Sequence, residues 1–160
     1  MTEDARFEDG GDRPLRLKAL GADDVPVLST LVQDAVFPLS EVKWLPKERR
    51  FALLLNRFRW EDAERAELRA RDFERVQSVL VIEDVVKVQS QGVDMADKDL
   101  IMSLLSMSWT AGEDGTGRLA LSLAGDGEIA LDVEALEVVL RDVTRPYRAP
   151  SRRAPDHSGA

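Results

Sequence analysis

Residues Trp44 to Trp60, WLPKERRFALLLNRFRW, hold two of the three tryptophans and four arginines, and their reading decides the fold. They read as two strands joined by a tight turn at Pro46 to Arg49, with proline at the second turn position. Phe51, Leu53 and Leu55 alternate to one side, and Ala52 and Leu54 make the other side apolar too. A strand apolar on both faces belongs at the centre of a structure, not at its rim. Beyond Leu55 the character changes. Arg57 and Arg59 continue one face, Phe58 and Trp60 the other. The strand is therefore expected to leave the core and to bring guanidinium groups beside aromatic rings near the surface.

Upstream, residues 1–13 are polar and glycine-containing, and are expected to be disordered. Leu15, Leu17 and Ala19 alternate with Arg16 and Lys18, which predicts a short strand with one buried face. Gly21 to Pro26 is a helix start, because the pair Asp23-Asp24 suits the positive helix N-terminus and proline is tolerated in the first turn. Val25, Leu28, Leu31, Val32 and Ala35 then share a face, predicting a helix over about 23–35. Val36 to Trp44 reads as an irregular strand in which Pro38 implies an edge or a bulge.

Downstream, residues 61–72 are charged and rich in alanine and arginine, and read as a partly disordered loop. Strands are predicted over Phe73 to Ile82 and Val85 to Gln91, interrupted at Glu83-Asp84. A polar turn, Gly92 to Asp99, leads to a strand with Ile101, Ser103, Leu105, Met107 and Trp109 on one face. After a loop from Ala111 to Gly117 comes a hairpin. A three-residue connection, Gly125-Asp126-Gly127, pairs Leu123 with Ile129 and Leu121 with Leu131, which keeps the apolar faces matched; Gly127 supplies the left-handed residue. Asp132 then serves as the N-cap of a helix whose apolar face is Val133, Leu136, Val139, Leu140 and Val143. Residues 145–160 carry prolines, arginines and the lone His157, and read as a disordered tail.

The chain has 160 residues, 44% of them hydrophobic, enough for one core; a single globular domain over 14–144 is expected. It has no cysteine, which removes disulfides, thiolate metal sites and a cysteine nucleophile. The acidic N-terminus lacks the apolar region of a signal peptide, and no apolar run is long enough to span a membrane. A cytoplasmic protein without membrane contact is the expectation. The net charge of −8 argues against nucleic acid as a partner, although Lys47 to Arg75 is locally +2.

The chemistry is mostly one of absences. The single histidine lies in the tail, so a histidine triad or metal cluster has no material. No glycine-rich nucleotide motif or zinc-protease motif occurs. Asp94, Asp97 and Asp99 lack the glycine and glutamate spacing of a calcium loop and read as a solvated turn. Asp84 interrupts an apolar strand; if buried, it calls for an arginine such as Arg57 or Arg75. No catalytic residue, metal ligand or cofactor is assigned. Arg49, Arg50, Arg57, Arg59 and Trp60 form the candidate surface for a ligand or partner, since guanidinium beside an aromatic ring is a common recognition pairing. The alternative is that these arginines extend their aliphatic stems over the core.

The runs LPKERRFALLLNRFRWE, VVKVQSQGVD and GEIALDVEALEVVLRDV resemble an uncharacterised bacterial family, found in alphaproteobacteria and known only as a domain of unknown function. The resemblance covers about Leu15 to Asp142 and implies no activity, cofactor or catalytic residue. From the residues, the fold expected is α+β: a mainly antiparallel, strongly bent sheet or split barrel with an N-terminal helix and a C-terminal capping helix. Pleckstrin-homology-like domains offer the architectural analogy. An open antiparallel sheet with both helices on one face is the alternative. The function expected is a non-catalytic binding or adaptor module for a protein or small ligand. The alternatives are a small metal-independent enzyme using Asp/Glu and Arg, and RNA contact through the arginine-rich strand end.

Overall fold

The structure is a computed structural model that describes residues 14–62, 74–145 and 147–148. Strand β1 (Arg16–Ala19) leads through a 3₁₀ turn (Ala22–Asp24) into helix α1 (Val25–Leu31). There follow β2 (Ala35–Pro38), a second 3₁₀ turn (Leu39–Glu41), β3 (Val42–Leu45) and β4 (Arg50–Phe58). A third 3₁₀ turn (Trp60–Asp62) comes before β5 (Glu74–Ile82), β6 (Val85–Gln91), β7 (Ile101–Ala111) and β8 (Gly117–Leu123). The chain continues through β9 (Gly127–Val133), β10 (Val138–Asp142) and β11 (Tyr147–Arg148).

All pairings are antiparallel, in the order β1-β10-β5-β4-β2-β7-β8-β9-β6, with β3 beside β4 and β11 beside β5. The stretch 44–60 does form a turn at Pro46–Arg49 followed by a central strand. β5 lies along one edge of β4 from Phe51 to Phe58. β3 and β2 therefore share the other edge, opposite Arg50–Leu53 and Asn56 respectively.

The strong bend is made by a ribbon, not by a closed ladder. β5 passes into β6 through Glu83-Asp84 alone, and β9 into β10 through Glu134–Glu137. β10 pairs with β5 and β9 with β6, so the two strands run as one antiparallel ribbon that turns a corner between Ile82/Val138 and Val85/Val133. Strands that switch layers at such bends are how sheets fold over on themselves. Asp84 makes the bend with a left-handed backbone, φ 58°. The corner is laced by Glu83 N to Glu137 O (3.0 Å) and Glu134 N to Asp84 O (2.9 Å). Residues far apart along the sheet thereby share one core: Phe51, Leu53 and Leu80 on one side, Leu119, Leu121, Ile129 and Leu131 on the other. Each such side chain is worth roughly 1.5–3 kcal/mol when fully buried.

Several expectations are corrected. The C-terminal capping helix over Val133 to Val143 is strand β10, inserted between β1 and β5. Val138, Leu140 and Asp142 point inward at period two; a carboxylate at the third inward position hid the alternation. The first helix is shorter than 23–35. Asp34 takes φ 63° and donates its N–H to Leu104 O, and Ala35 already pairs in β2. Among the described residues one short α-helix and a dominant, unclosed antiparallel sheet replace the two-helix α+β arrangement. The strand over Val36 to Trp44 is broken in two by the turn at Leu39–Glu41.

In β7 the expected face is wrong for its first half. The register shifts between Leu104 and Ser106, so Leu104 and Met107 are buried while Ile101 and Leu105 face solvent. A bulge resets which side each residue takes. The β8–β9 hairpin has a three-residue connection, but it is Ala124-Gly125-Asp126, with Leu123 opposite Gly127, Leu121 opposite Ile129 and Leu119 opposite Leu131. The shift is two residues, so the apolar faces still meet, and Gly125 and Asp126 rather than Gly127 are left-handed. Tyr147–Arg148, expected in the tail, pair with Arg75 and Glu74 of β5. The disorder expected for 1–13, 63–72 and 149–160 lies outside the described residues.

The Trp109 indole packs close to Gly117. A Cβ at Gly117 would come within 2.3 Å of the indole and 2.7 Å of Thr110 O. Gly117→Ala is expected to lower stability by about 1–3 kcal/mol, because a well-packed site resists added volume. Urea unfolding should show a lower midpoint with an unchanged slope; an unaltered midpoint would show that the ring moves aside freely.

Candidate functional site

Arg57 stands on β4 at the inward position that continues Phe51, Leu53 and Leu55, and it is 0% exposed. It does not leave the core; the core accommodates it. Asp142 of β10 and Ser78 of β5 sit opposite each other in the ladder at the same level. Arg57 Nε donates to Ser78 Oγ (3.1 Å) and to Asp142 Oδ1 (3.2 Å), and Nη2 donates to both Asp142 oxygens (3.0 and 3.1 Å). The other side of the fork meets Glu61 at 2.9 Å through Nη1 and Nη2. Ser78 Oγ donates to Asp142 Oδ1 (2.7 Å), and Leu15 N donates to Asp142 Oδ2 (2.8 Å). One cation thus joins four chain segments.

The electrostatics follow from that geometry. Burial alone would push the Arg57 pKa down, but the hydrogen bonds and charge of Glu61, then of Asp142, raise it. Burial would likewise raise Glu61, yet the Arg57 hydrogen bond and charge outweigh it and hold the carboxyl below its ordinary value. Arg57 and Glu61 each favour the charged form of the other, which is what a buried ion pair needs.

The remaining candidates are dispersed. Arg59 is 5% exposed and paired with Glu74. Trp60 donates its indole N–H to Gln33 O at 2.8 Å and stands 5.6 Å from the Phe58 ring, whose face carries Arg75 at 4.2 Å. Arg49 and Arg50, at the far end of β4, pair with Glu134 and Glu83 and brace the corner. The five residues therefore form no common surface: Arg57 and Arg59 are interior, and Arg49 and Arg50 lie at the opposite end of the strand. Among the described residues Arg49, Arg50, Arg57 and Arg59 each pair with a carboxylate, and they do not gather into one cationic face. Asp84, proposed as a partner of Arg57 or Arg75, instead makes the corner bend.

An unfilled site lies elsewhere. From β4 the strands run β2, β7, β8, β9, β6, and β3 returns to β4; the ring lacks only a β6–β3 ladder among the described residues. The two edges touch where Val85 N donates to Arg49 O (2.9 Å). Before β3, the turn at Leu39–Glu41 is bonded to the loop that follows β6: Ser40 N donates to Lys98 O (3.1 Å), and Leu39 N donates to Leu100 O (2.9 Å), prolonging the β2–β7 register. Between these crossings is a cleft of about 500 Å³, within the roughly 300–1,000 Å³ of ordinary ligand sites. Its apolar wall is Val42, Trp44, Phe51, Val88 and Met95; Lys43, Ser90 and Lys98 supply the polar groups.

No carboxylate lines this cleft. Asp132, whose pKa the Arg118 hydrogen bond lowers, lies on the outer face of β9. Among the described residues no group of three or more His, Cys, Asp or Glu is placed to hold a metal ion, and no helix is long and apolar enough to cross a membrane. The cleft was missed in the sequence because its residues come from β3, β6 and the following loop, and none is unusual alone. The available signal was the exposed Leu45 on the short strand β3.

The described residues define a mostly antiparallel, unclosed sheet with one short α-helix and a cleft between the edges of β3 and β6. The chain belongs to the DUF2948 family, described as a protein of unknown function, which matches residues 15–157. No curated protein and no solved structure matches.

Removing one partner of a buried pair leaves the other charge uncompensated and costs about 3–5 kcal/mol. Asp142→Ala should show a loss of that order in urea unfolding, while Arg57→Met/Asp142→Leu together should cost clearly less than the two single changes added. Strict additivity would mean the pair is not coupled.

A pH series isolates Glu61. Its carboxyl is held below the ordinary value of 4.5 in the folded chain. The unfolded chain therefore binds the proton first, so the contribution is complete above that value and is lost as pH falls through the lowered one. Wild-type thermal midpoints should drop as pH falls below 4.5, and Glu61→Gln should flatten part of that drop. Parallel curves for the two proteins would remove Glu61 from the account.

Proposed function

We propose that this protein is a non-catalytic, cytoplasmic binding module that takes an extended segment of a partner protein into the seam between β3 and β6. The observation that carries the proposal is the ring open at one place, with an unpaired strand edge on each side and an apolar wall behind. Strand addition uses such edges: main-chain hydrogen bonds supply affinity and pockets for alternate side chains supply selectivity. Trp44 and Met95 give that wall one rigid and one adaptable apolar surface.

The acidic groups support binding rather than acid–base chemistry. The carboxylates with displaced acidity, Glu61 and Asp132, are both pushed down by arginines and lie outside the cleft. A general acid needs the opposite displacement. The lack of cysteine accords with a reducing compartment.

Selection of random seven-residue peptides tests the proposal. Selected peptides should bind the wild type and lose at least about tenfold in affinity on Val88→Glu, because the change replaces an apolar contact of the wall with a carboxylate that binding must desolvate. Hydrogen exchange should slow at Val42–Leu45 and Val85–Gln91. Binding indifferent to Val88→Glu, or protection confined to other strands, would overturn the proposal.

A further inference from the structure

The seam is not symmetric along its length. At the corner end, Arg49 and Arg50 are matched by Glu134 and Glu83, so the local charge is neutralised. At the other end stand Lys43 and Lys98, and neither has a carboxylate within ion-pair distance among the described residues. Lys43 Nζ donates to Ser40 O at 3.3 Å, and Ser40 N donates to the Lys98 carbonyl. Both lysines therefore belong to the same closed end. Two acids of the following loop bond within it: Asp94 Oδ1 accepts from Ala96 N and Asp97 Oδ1 from Asp99 N. They do not line the cleft.

We infer that the seam receives the C-terminal end of a partner chain, with its terminal carboxylate between Lys43 and Lys98. The inference rests on strand addition as the mode of binding and assigns its direction and its terminus. A segment pairing antiparallel to β3 runs from the corner towards Ser40, so its carboxyl end arrives at the lysines. The reverse direction would bring a free amino terminus, or no charge at all, to two unpaired ammonium groups. β3 offers four residues, roughly 13 Å of strand, to a short segment. Capture of a terminal carboxylate beside a paired edge is a known way to join affinity to end recognition.

The test uses two libraries of seven random residues on a carrier protein. In one the random residues form the free C-terminus; in the other a fixed six-residue extension follows them. Enrichment from the first library alone is expected. The best free-acid peptide should lose at least about tenfold in affinity as its C-terminal amide, and a similar factor on Lys43→Ala/Lys98→Ala, with the lysine effect shrinking as salt rises. Equal enrichment from both libraries, with loss on Val88→Glu, would overturn the terminal-carboxylate assignment and leave strand addition standing. Enrichment from neither library would overturn both. Thermal midpoints of the variants equal to wild type, within a few degrees, separate lost binding from lost folding.

Discussion

The fold hangs on one ion pair in an unusual place. Arg57 occupies a position where the alternation of β4 demands an apolar side chain, and it is completely buried. A lone guanidinium there would be prohibitively expensive, and a single carboxylate would leave part of its fork unmet. Asp142 and Glu61 approach from opposite sides, and Ser78 fills the position between. Because Asp142 also accepts the Leu15 amide, the pair fixes β1, β10, β5 and β4 relative to one another. Hydrophobic contacts drive the collapse but tolerate sliding. A fork of directed hydrogen bonds that reaches from β4 to Ser78 of β5 and Asp142 of β10 tolerates very little, so the register of this part of the sheet follows from it.

The same pair explains where the sequence misleads. Inward polar residues break the period-two pattern by which strands are recognised. On β4 the break makes Arg57 look like the start of a surface, and on β10 Asp142 lets Val133, Leu136, Leu140 and Val143 pass for a helical stripe. Once each is matched with the other, both strands read regularly. Neither could be matched from one sequence, since the partners are 85 positions apart.

What was legible was local and apolar. The Pro46–Arg49 turn, the central place of β4, the strands on either side of Glu83-Asp84 and the facing of the β8–β9 hairpin follow from alternation and turn chemistry. The face of β7 was not legible, because a bulge carries no sequence mark strong enough to see beside Ile101 and Leu105. The candidate site was the least legible part. Arg49, Arg50, Arg57, Arg59 and Trp60 are conspicuous by type, but conspicuous side chains in this chain are already engaged with one another. The cleft is defined by what two backbones fail to pair with, and a backbone edge has no residue type.

β4 joins the two features. Its Arg57 end is locked by charge, and its Phe51 end forms the back of the seam. An open pair of strand edges is a hazard, since exposed edges template unwanted pairing. Here β3 is only four residues long, Lys43 and Lys87 stand on the exposed strands, and the opening is stopped at each end by a backbone bond. These features discourage a long, register-free strand from docking. They still leave space for a short one. The lock fixes the Arg57 end of β4 and the laced corner fixes the Phe51 end, so the strand that backs the gap is anchored at both ends by directed bonds rather than by packing alone.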